Sequence, residues 1–457
     1  MKNAAVYAGL VASAFFTLGQ ATVNLTLVPA VNTVRIGEQV DLEWTTDQDY
    51  KLELEFVQKF DGGWSPAKHV FKNRRFKAGD GNYTFTIPKV EPNRNPLLYD
   101  EMIVCILRYA LITAGILSAL YCTLLGLLTT SWFQAHVVYL HAIQMTWGKD
   151  LDVPEVFGFL HNQVTPFEIE SASGKALYAW HVLPVELYRQ HEQKLRTQPT
   201  GLSPNITSQL AFQLLRDDPD ALLVIVGSGY RCPNYRALSA GRPDKLHVLT
   251  FDYRGFGRSA GTPTESGLIV DALSVVEWAM NVARIPPARI LIYSQSMGTA
   301  VNMAVAERFA LQEPPVVFAG HILTAPFVDV ITLVSTYSVA GTIPILGPIA
   351  KVPVLFNYLR RYIYDKWSTK DRIASYIKAN EVNRRKYCIT LIHAEDDYDI
   401  PWTHTPQLFW HAISATRPTG IGFEELELLK SKARIDNGPA GSVVEWKTEY
   451  GIIRERC

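Results

Sequence analysis

The sequence has no charge of one sign to spare. Its 44 Lys and Arg balance its 44 Asp and Glu, giving a formal net charge of +0. That balance excludes the strongly basic surface a nucleic-acid-binding chain would present. Cysteine is scarce as well. Cys105, Cys122, Cys232, Cys388 and Cys457 lie far apart, with no spacing that suits a zinc site or a disulfide framework. No metal and no cofactor are therefore expected. Histidine is missing from the whole C-terminal stretch after His411, an absence that matters below.

Long apolar runs, in contrast, are present twice. Near the N-terminus Lys2 is followed by an apolar, Ala-rich stretch over residues 6–18, with small residues near Ala21. This pattern predicts a secretory signal peptide over residues 1–21, with a short membrane anchor as the alternative. The second run, residues 109–128, holds no charged residue and has about the 20-residue length a bilayer requires. Arg108 stands at one end, and Trp132 and Phe133 at the other suit an interfacial belt. A transmembrane helix over residues 103–130 is expected.

Between the two runs, residues 34–36, 40–44 and 52–57 alternate with period two, Asp61-Gly62-Gly63 signals a turn, and residues 83–88 close the series. The pattern predicts a small β-sandwich over residues 22–96. Beyond residue 160 the rhythm changes. Residues 167–170 and 176–182 read as strands across a Ser173-Gly174 turn. From residue 220, strand candidates at 222–226, 248–252, 290–293, 322–325 and 388–393 alternate with longer helical patterns. Such alternation predicts a mainly parallel sheet with helices on both faces, an α/β domain over residues 160–457.

Within that domain Ser294-Gln295-Ser296-Met297-Gly298 follows a β-branched run and precedes a helical one. Strand, tight turn and helix with Ser at the apex is the setting of a nucleophile elbow, which needs small residues two before and two after the Ser. Ser294 and Gly298 meet that need, although the usual first Gly is replaced by Ser. The same residues also suit an ordinary helix N-cap. Downstream, His393-Ala394-Glu395-Asp396-Asp397-Tyr398-Asp399-Ile400-Pro401 follows a strand. A carboxylate there can orient a histidine and stabilise its imidazolium. Asp397 fits best by its spacing to Pro401, with Asp396 and Asp399 as competitors and an acidic surface turn as the plain alternative. Residues 252–259 read as a tight, mostly structural connection. The aromatic-rich residues 326–386 are expected to form a lid or a set of packing helices.

These stretches resemble the α/β-hydrolase family. In particular, "VTPFEIESASGKALYAWHVLP", "HVLTFDYRGFGRSAGTPTESGLIVDA", "SQSMGTAV" and "HAEDDYDIP", together with the membrane run, are similar to the membrane-anchored monoacylglycerol and lysophosphatidylserine lipases of the abhydrolase-domain-containing type. The resemblance covers roughly three quarters of the chain. It implies an α/β-hydrolase fold, a lipid ester substrate at a membrane surface, Ser296 as nucleophile, Asp397 as the triad acid, and the Met297 backbone N–H as an oxyanion donor. Residues 22–93 weakly resemble small β domains of fungal cell-wall and surface-anchored proteins, through "GEQVDLEWTT" and "GNYTFTIP".

The family pattern breaks in two places. The His-Gly loop that supplies a second oxyanion donor is missing after residues 222–226, leaving Gly227 to Gly229 as the substitute and Gly227 as its nearest donor. The family's catalytic His lies beyond the last strand, here read at residues 441–446, and none follows. The expectation is that this sequence stops before its general base, with His404 or His411 as the stand-in. Catalysis would then be residual. Topology adds a conflict. A cleaved leader and one helix put the hydrolase domain in the cytosol, whereas Arg94 and Arg108 before the helix favour a lumenal domain. The sequons at Asn24, Asn82 and Asn205 would be usable only on the lumenal side. This conflict suggests two reading frames joined near Pro96-Leu97. Three functions follow as expectations: a membrane-tethered serine lipase or esterase in the secretory pathway, an aminopeptidase-like serine hydrolase, or a non-enzymatic surface protein that binds cell-wall glycan.

Overall fold

In the computed structural model, residues 8–14, 23–28, 39–46, 50–60, 63–64, 68–76, 79–86, 97–141, 146, 148–227, 232–336, 338–339, 343–344, 349 and 351–457 are described. They fall into two units, Met1–Cys122 and Thr123–Cys457.

The first unit is β-rich, as its alternating pattern predicts. Strands β1 (Ala8–Ala14), β4 (Tyr50–Phe60), β5 (Gly63–Trp64) and β6 (Lys68–Phe76) make one antiparallel sheet, with β2 (Val23–Val28), β3 (Gln39–Thr46) and β7 (Gly79–Thr86) in another. The sheet region starts earlier than expected. Ala8–Ala14, inside the segment read as a leader, pairs with β4 from Ala8↔Gln58 to Ala14↔Leu52. A short run of small and branched apolar residues satisfies a ladder as readily as it forms a leader core, and periodicity does not separate the two. The remainder of that leader reading lies outside the described residues. Asn24 falls on β2 and Asn82, exposed, on β7.

Helix α1 (Leu97–Leu128) follows, and Val104–Leu128 is long and apolar enough to cross a membrane. Every residue from 104 to 120 is exposed. Helix α2 (Ser131–Tyr139) comes next, capped by the Thr130 side chain, which accepts a hydrogen bond from the Phe133 N–H. This helix is part of the second unit's core: Ala135 and Tyr139 are buried in a large hydrophobic cluster there.

The rest of the second unit is built on one ten-stranded sheet. In chain order its elements are β8 (Val164–Glu170), β9 (Ala176–Val182), α3 (Val185–Arg196), α4 (Leu210–Asp217), β10 (Leu222–Gly227), α5 (Cys232–Gly241), β11 (Leu246–Phe251), α6 (Glu265–Asn281), β12 (Ile290–Gln295), α7 (Met297–Leu311), β13 (Gly320–Thr324), α8 (Val330–Thr336), the small hairpin β14 (Ser338–Val339) and β15 (Ile343–Pro344), α9 (Pro353–Leu359), α10 (Thr369–Val382), β16 (Tyr387–Ile392), α11 (His404–Ala415), α12 (Phe423–Ala433), β17 (Ile435–Asp436), β18 (Ser442–Lys447) and β19 (Gly451–Arg456). The sheet order is β17-β18-β19-β16-β13-β12-β10-β11-β9-β8. The six strands from β11 across to β19 are mutually parallel. Alternate residues of β10 serve the two faces: Leu223 and Ile225 join one hydrophobic cluster, Val224 and Val226 another. A strand buried on both sides reads as a continuous apolar run, which is why 222–226 was legible.

One sequence expectation is corrected here and another is resolved. The last strand is not 441–446. That segment is β18, an antiparallel hairpin partner, and β19 is the strand that runs parallel to β16. Residues 326–386 were expected to form a lid or a set of packing helices, and one helix of that stretch is a packing helix. In α10, Ile373, Tyr376 and Ile377 are fully buried beside Met303, Leu391 and Phe409, so α10 is a helix of the body.

Candidate active site

The strand order reverses at β10, which has β11 on one side and β12 on the other, so the chain crosses over between them. Crevices at the carboxyl ends of strands beside such a switch point are where open parallel sheets bind ligands. A cavity of about 780 Å³ opens there, lined by the strand-end residues Gly227, Asp252, Tyr253 and Ser296, with Met297 and Gly298 beside them. Its volume lies within the range of small-molecule sites.

Ser296 occupies the turn between β12 and α7 with φ 52 and ψ −127, a backbone conformation that side chains rarely adopt. Its N–H donates to the Thr324 carbonyl at 2.9 Å, and its carbonyl accepts from the Thr299 N–H at 2.9 Å and hydroxyl at 2.7 Å. The side chain caps nothing. The N-cap alternative therefore fails, because a capping Ser has extended backbone and spends its hydroxyl on the helix. The small flanking residues are explained as well. A Cβ on Gly298 would stand 3.1 Å from the Gly227 carbonyl oxygen and 3.6 Å from the Ser294 Cβ. Ser294 is buried and bonded, its hydroxyl donating to the Ile322 carbonyl at 3.1 Å and accepting from Asn302 at 2.9 Å. A Gly there would leave Asn302 without that partner, a physical reason for Ser in place of the usual Gly.

Gly227 ends β10 against the elbow, and a Cβ on it would meet the Tyr253 hydroxyl at 2.1 Å. The loop after it, with Gly229, lies outside the described residues. Met297 begins α7, so its N–H is among those at the helix start that lack an intrahelical acceptor.

Asp397 lies in the loop after β16. Its Oδ1 accepts from the N–H groups of Asp399 and Ile400, both at 2.9 Å, which fixes the carboxylate and leaves Oδ2 facing His393 Nε2 at 3.7 Å. His393 is buried and committed, with Nε2 donating to the Ile400 carbonyl at 2.9 Å and Nδ1 2.7 Å from the Thr405 hydroxyl. Burial lowers its pKa, so it stays neutral. Asp396 and Asp399 are exposed and Asp397 half-buried, which favours Asp397 among the three. The structure does not bring Asp397 into the Ser296 cavity. Through the registers Gln295↔Thr324 and Thr324↔Ile392, the two loops are two strand spacings apart, about 10 Å. Strand β19 ends on the same edge, where the His393 N–H donates to the Arg456 carbonyl at 2.9 Å.

Neither proposed stand-in base reaches the serine's cavity. His404 is buried with Nδ1 accepting from the Val328 N–H at 3.3 Å, and burial pushes its pKa down to about 4. His411 is half-buried on α11 with its pKa lowered by burial. The imidazole that does line the cavity is His141, which follows α2 and packs against His136 and Phe256 with centroids 4.7 and 6.2 Å away. Nothing in the local sequence marks it, since only the docking of α2 brings it there. The Asp252 segment, read as mostly structural, also lines the cavity. Burial raises the Asp252 carboxyl to about 6, opposed only by the Arg258 N–H. Arg258 in turn pairs with Asp150 at 2.8 Å and with Asp152, holding the segment after His141 over the same opening. Among the described residues no cluster could hold a metal ion.

Residues 238–395 match the family model described as serine aminopeptidase, S33. With the sheet order and the elbow geometry, this decides the fold. The second unit has the α/β-hydrolase fold. This hydrolase unit accounts for the similarity to curated proteins. The chain is 28% identical over 274 residues to a lysophosphatidylserine lipase ABHD12 of Xenopus tropicalis, across 59% of this chain and 63% of that one. It is 24% identical over 288 residues to the Danio rerio protein of the same name, across 60% and 65%. The chain thus spans less than two thirds of the length of either relative. Among solved structures an alpha-beta hydrolase from Vibrio vulnificus aligns with a TM-score of 0.39 at 17% identity, covering 62% of this chain and 84% of that one.

Proposed function

We propose that this chain is a membrane-tethered serine hydrolase acting on carboxylic esters of monoacyl lipids, of the monoacylglycerol or lysophospholipid class. The observation that carries the reading is Ser296, held in a strained turn on the wall of a large cavity, with its hydroxyl capping nothing among the described residues. Ser296 is the nucleophile, Asp397 the acid, and the N–H groups of Met297 and of the residues at Gly227 the oxyanion donors. Ser296 and Asp397 stand on loops about two strand spacings apart, a gap of the size an imidazole would bridge in a triad. The exposed apolar helix α1 and the names of the relatives support the lipid substrate and the membrane. The sequons support a single-pass location in the secretory pathway, with glycans either at Asn24 and Asn82 or at Asn205, according to which end of α1 is lumenal.

A fluorophosphonate probe tests the nucleophile. Labelling of the full chain that Ser296→Ala abolishes is the expected result, and unlabelled wild-type protein would overturn it. The aminopeptidase reading draws on the description of the matched family model. A panel of lysophosphatidylserine, monoacylglycerol and aminoacyl-amide substrates separates the two, and turnover of the amides alone would reverse the preference. Retention of residues 22–93 on immobilised glucan or chitin would favour the surface-binding reading.

A further inference from the structure

A second cavity, about 90 Å³, lies at the foot of α1 and is walled by Leu125, Leu128, Val334, Phe356, Leu359 and Ile363. It holds several times the 10–15 Å³ or so that one water needs. Val138 and Tyr139 belong to its wall and also to the wall of the Ser296 cavity. The two spaces are therefore neighbours separated by two side chains of α2. The polar atoms at the partition are already engaged. The Tyr139 hydroxyl donates to Asp365 Oδ2 at 2.7 Å and accepts from Trp367 Nε1 at 3.1 Å. The Gln134 amide donates to the carbonyls of Leu128 at 2.6 Å and Tyr362 at 2.5 Å, and its oxygen accepts from the Tyr364 N–H at 3.2 Å. What remains open to an occupant is mostly hydrocarbon, with Thr129 and Arg360 also on the wall.

The surroundings say where that hydrocarbon comes from. Along α1, residues 104–120 are all exposed, and toward its end Tyr121, Leu124, Leu125 and Leu128 are half-buried. Beside that end, α9 turns Phe356 and Leu359 inward and leaves Val354 83% and Tyr358 52% exposed. Tyr362 and Arg360, both exposed, lie on the cavity wall, and Trp132, Tyr364, Lys351 and Arg361 are exposed on the segments that flank it in sequence. Aromatic rings and cations gathered at the end of a spanning helix are the signature of the membrane–water boundary.

We propose that this cavity is a docking site for the acyl chain of a monoacyl lipid, entered from the bilayer beside the last turn of α1, with Val138 and Tyr139 as the partition the chain passes to reach Ser296. The occupant rests on the lipid-hydrolase reading, but the site itself does not need an active serine. A monoacylglycerol with a diazirine at the chain terminus, photolysed with the full chain in phosphatidylcholine nanodiscs, tests it. Most of the adducts are expected in peptides covering residues 125–139, 330–336 and 353–363. Val334→Trp, which fills the cavity, is expected to lower those adducts at least fivefold. Adducts confined to residues 104–120 or to the Ser296 cavity would overturn the proposal, as would a Val334→Trp map equal to wild type. The wild-type map decides alone if that variant does not fold. Expected adducts without any fluorophosphonate label on Ser296 would keep the docking site and remove the hydrolase reading, whereas the reverse pattern would do the opposite.

Discussion

Ser296→Gly, compared with Ser296→Ala, tests the elbow without asking for activity. At φ 52 and ψ −127 a residue with a Cβ stores strain of about 1–3 kcal/mol. The turn cannot relax, because the Ser296 N–H is bound to Thr324 at 2.9 Å and its carbonyl to Thr299 at 2.9 and 2.7 Å. Ala keeps the Cβ and therefore the strain. The Ser hydroxyl makes no capping bond, so Ser296→Ala is expected to lie within about 0.5 kcal/mol of wild type, as at an ordinary surface site. Gly removes the strain and loses about 0.5–1 kcal/mol to the greater freedom of the unfolded chain. The balance makes Ser296→Gly more stable than Ser296→Ala by up to about 2.5 kcal/mol. Scanning calorimetry of the full chain in detergent, following the transition of the hydrolase unit, measures the difference. A Gly variant less stable than the Ala variant would refute the strained elbow. An Ala variant losing 1 kcal/mol or more would instead restore the N-cap reading (about 1 kcal/mol is what a lost cap costs).

Three further outcomes are expected. Asp252 has its folded pKa raised to about 6 from 3.8 by burial, so its contribution to stability is fully present below about pH 4 and is lost as pH rises through 6. Two units are worth about 3 kcal/mol, and Asp252→Asn should flatten that fall in a series of urea midpoints between pH 4 and 7. Gly227→Ala puts a Cβ 2.1 Å from the Tyr253 hydroxyl and should cost about 1–3 kcal/mol of overpacking, read as a lower melting temperature, whereas an unchanged value would mean that Tyr253 swings away freely. Arg254 pairs with Asp271, which is fully buried, at 2.6 Å; Arg254→Met strands that carboxylate and should cost about 3–5 kcal/mol, with Arg254→Met/Asp271→Leu recovering most of it in the same melt.

The parts of the fold legible in sequence were those with a local physical signature. Strands buried on both faces, such as 222–226 and 290–293, are unbroken apolar runs, and the Ser296 turn announces itself through the small residues its crowding demands. Strand 451–456 was missed because Arg454, Glu455 and Arg456 break the apolar pattern. Arg454 bonds to Glu445 at 2.7 Å and Glu455 to the buried Lys430 at 2.6 Å, partners that only the folded chain supplies. Residues 369–382 read equally as lid or packing helix because a polar, aromatic helix looks alike on either side of a cavity. Burial of Tyr376 against Tyr387, with ring centroids 5.9 Å apart, is what assigns it to the body.

The sequence by itself determined that this chain carries an apolar helix long enough for a bilayer, a β-rich N-terminal region, and a parallel α/β sheet with Ser296 at a strand-to-helix turn and Asp397 after a later strand. Those are properties of neighbouring residues, set by period, side-chain size and turn chemistry. Tertiary structure alone decided which residues share a space with Ser296. It brought in His141, Asp252 and Tyr253, kept His404 and His411 away, and set a second apolar cavity against the first through Val138 and Tyr139. Contacts between segments a hundred or more residues apart depend on how helices dock on a sheet, and no window along the chain contains that information.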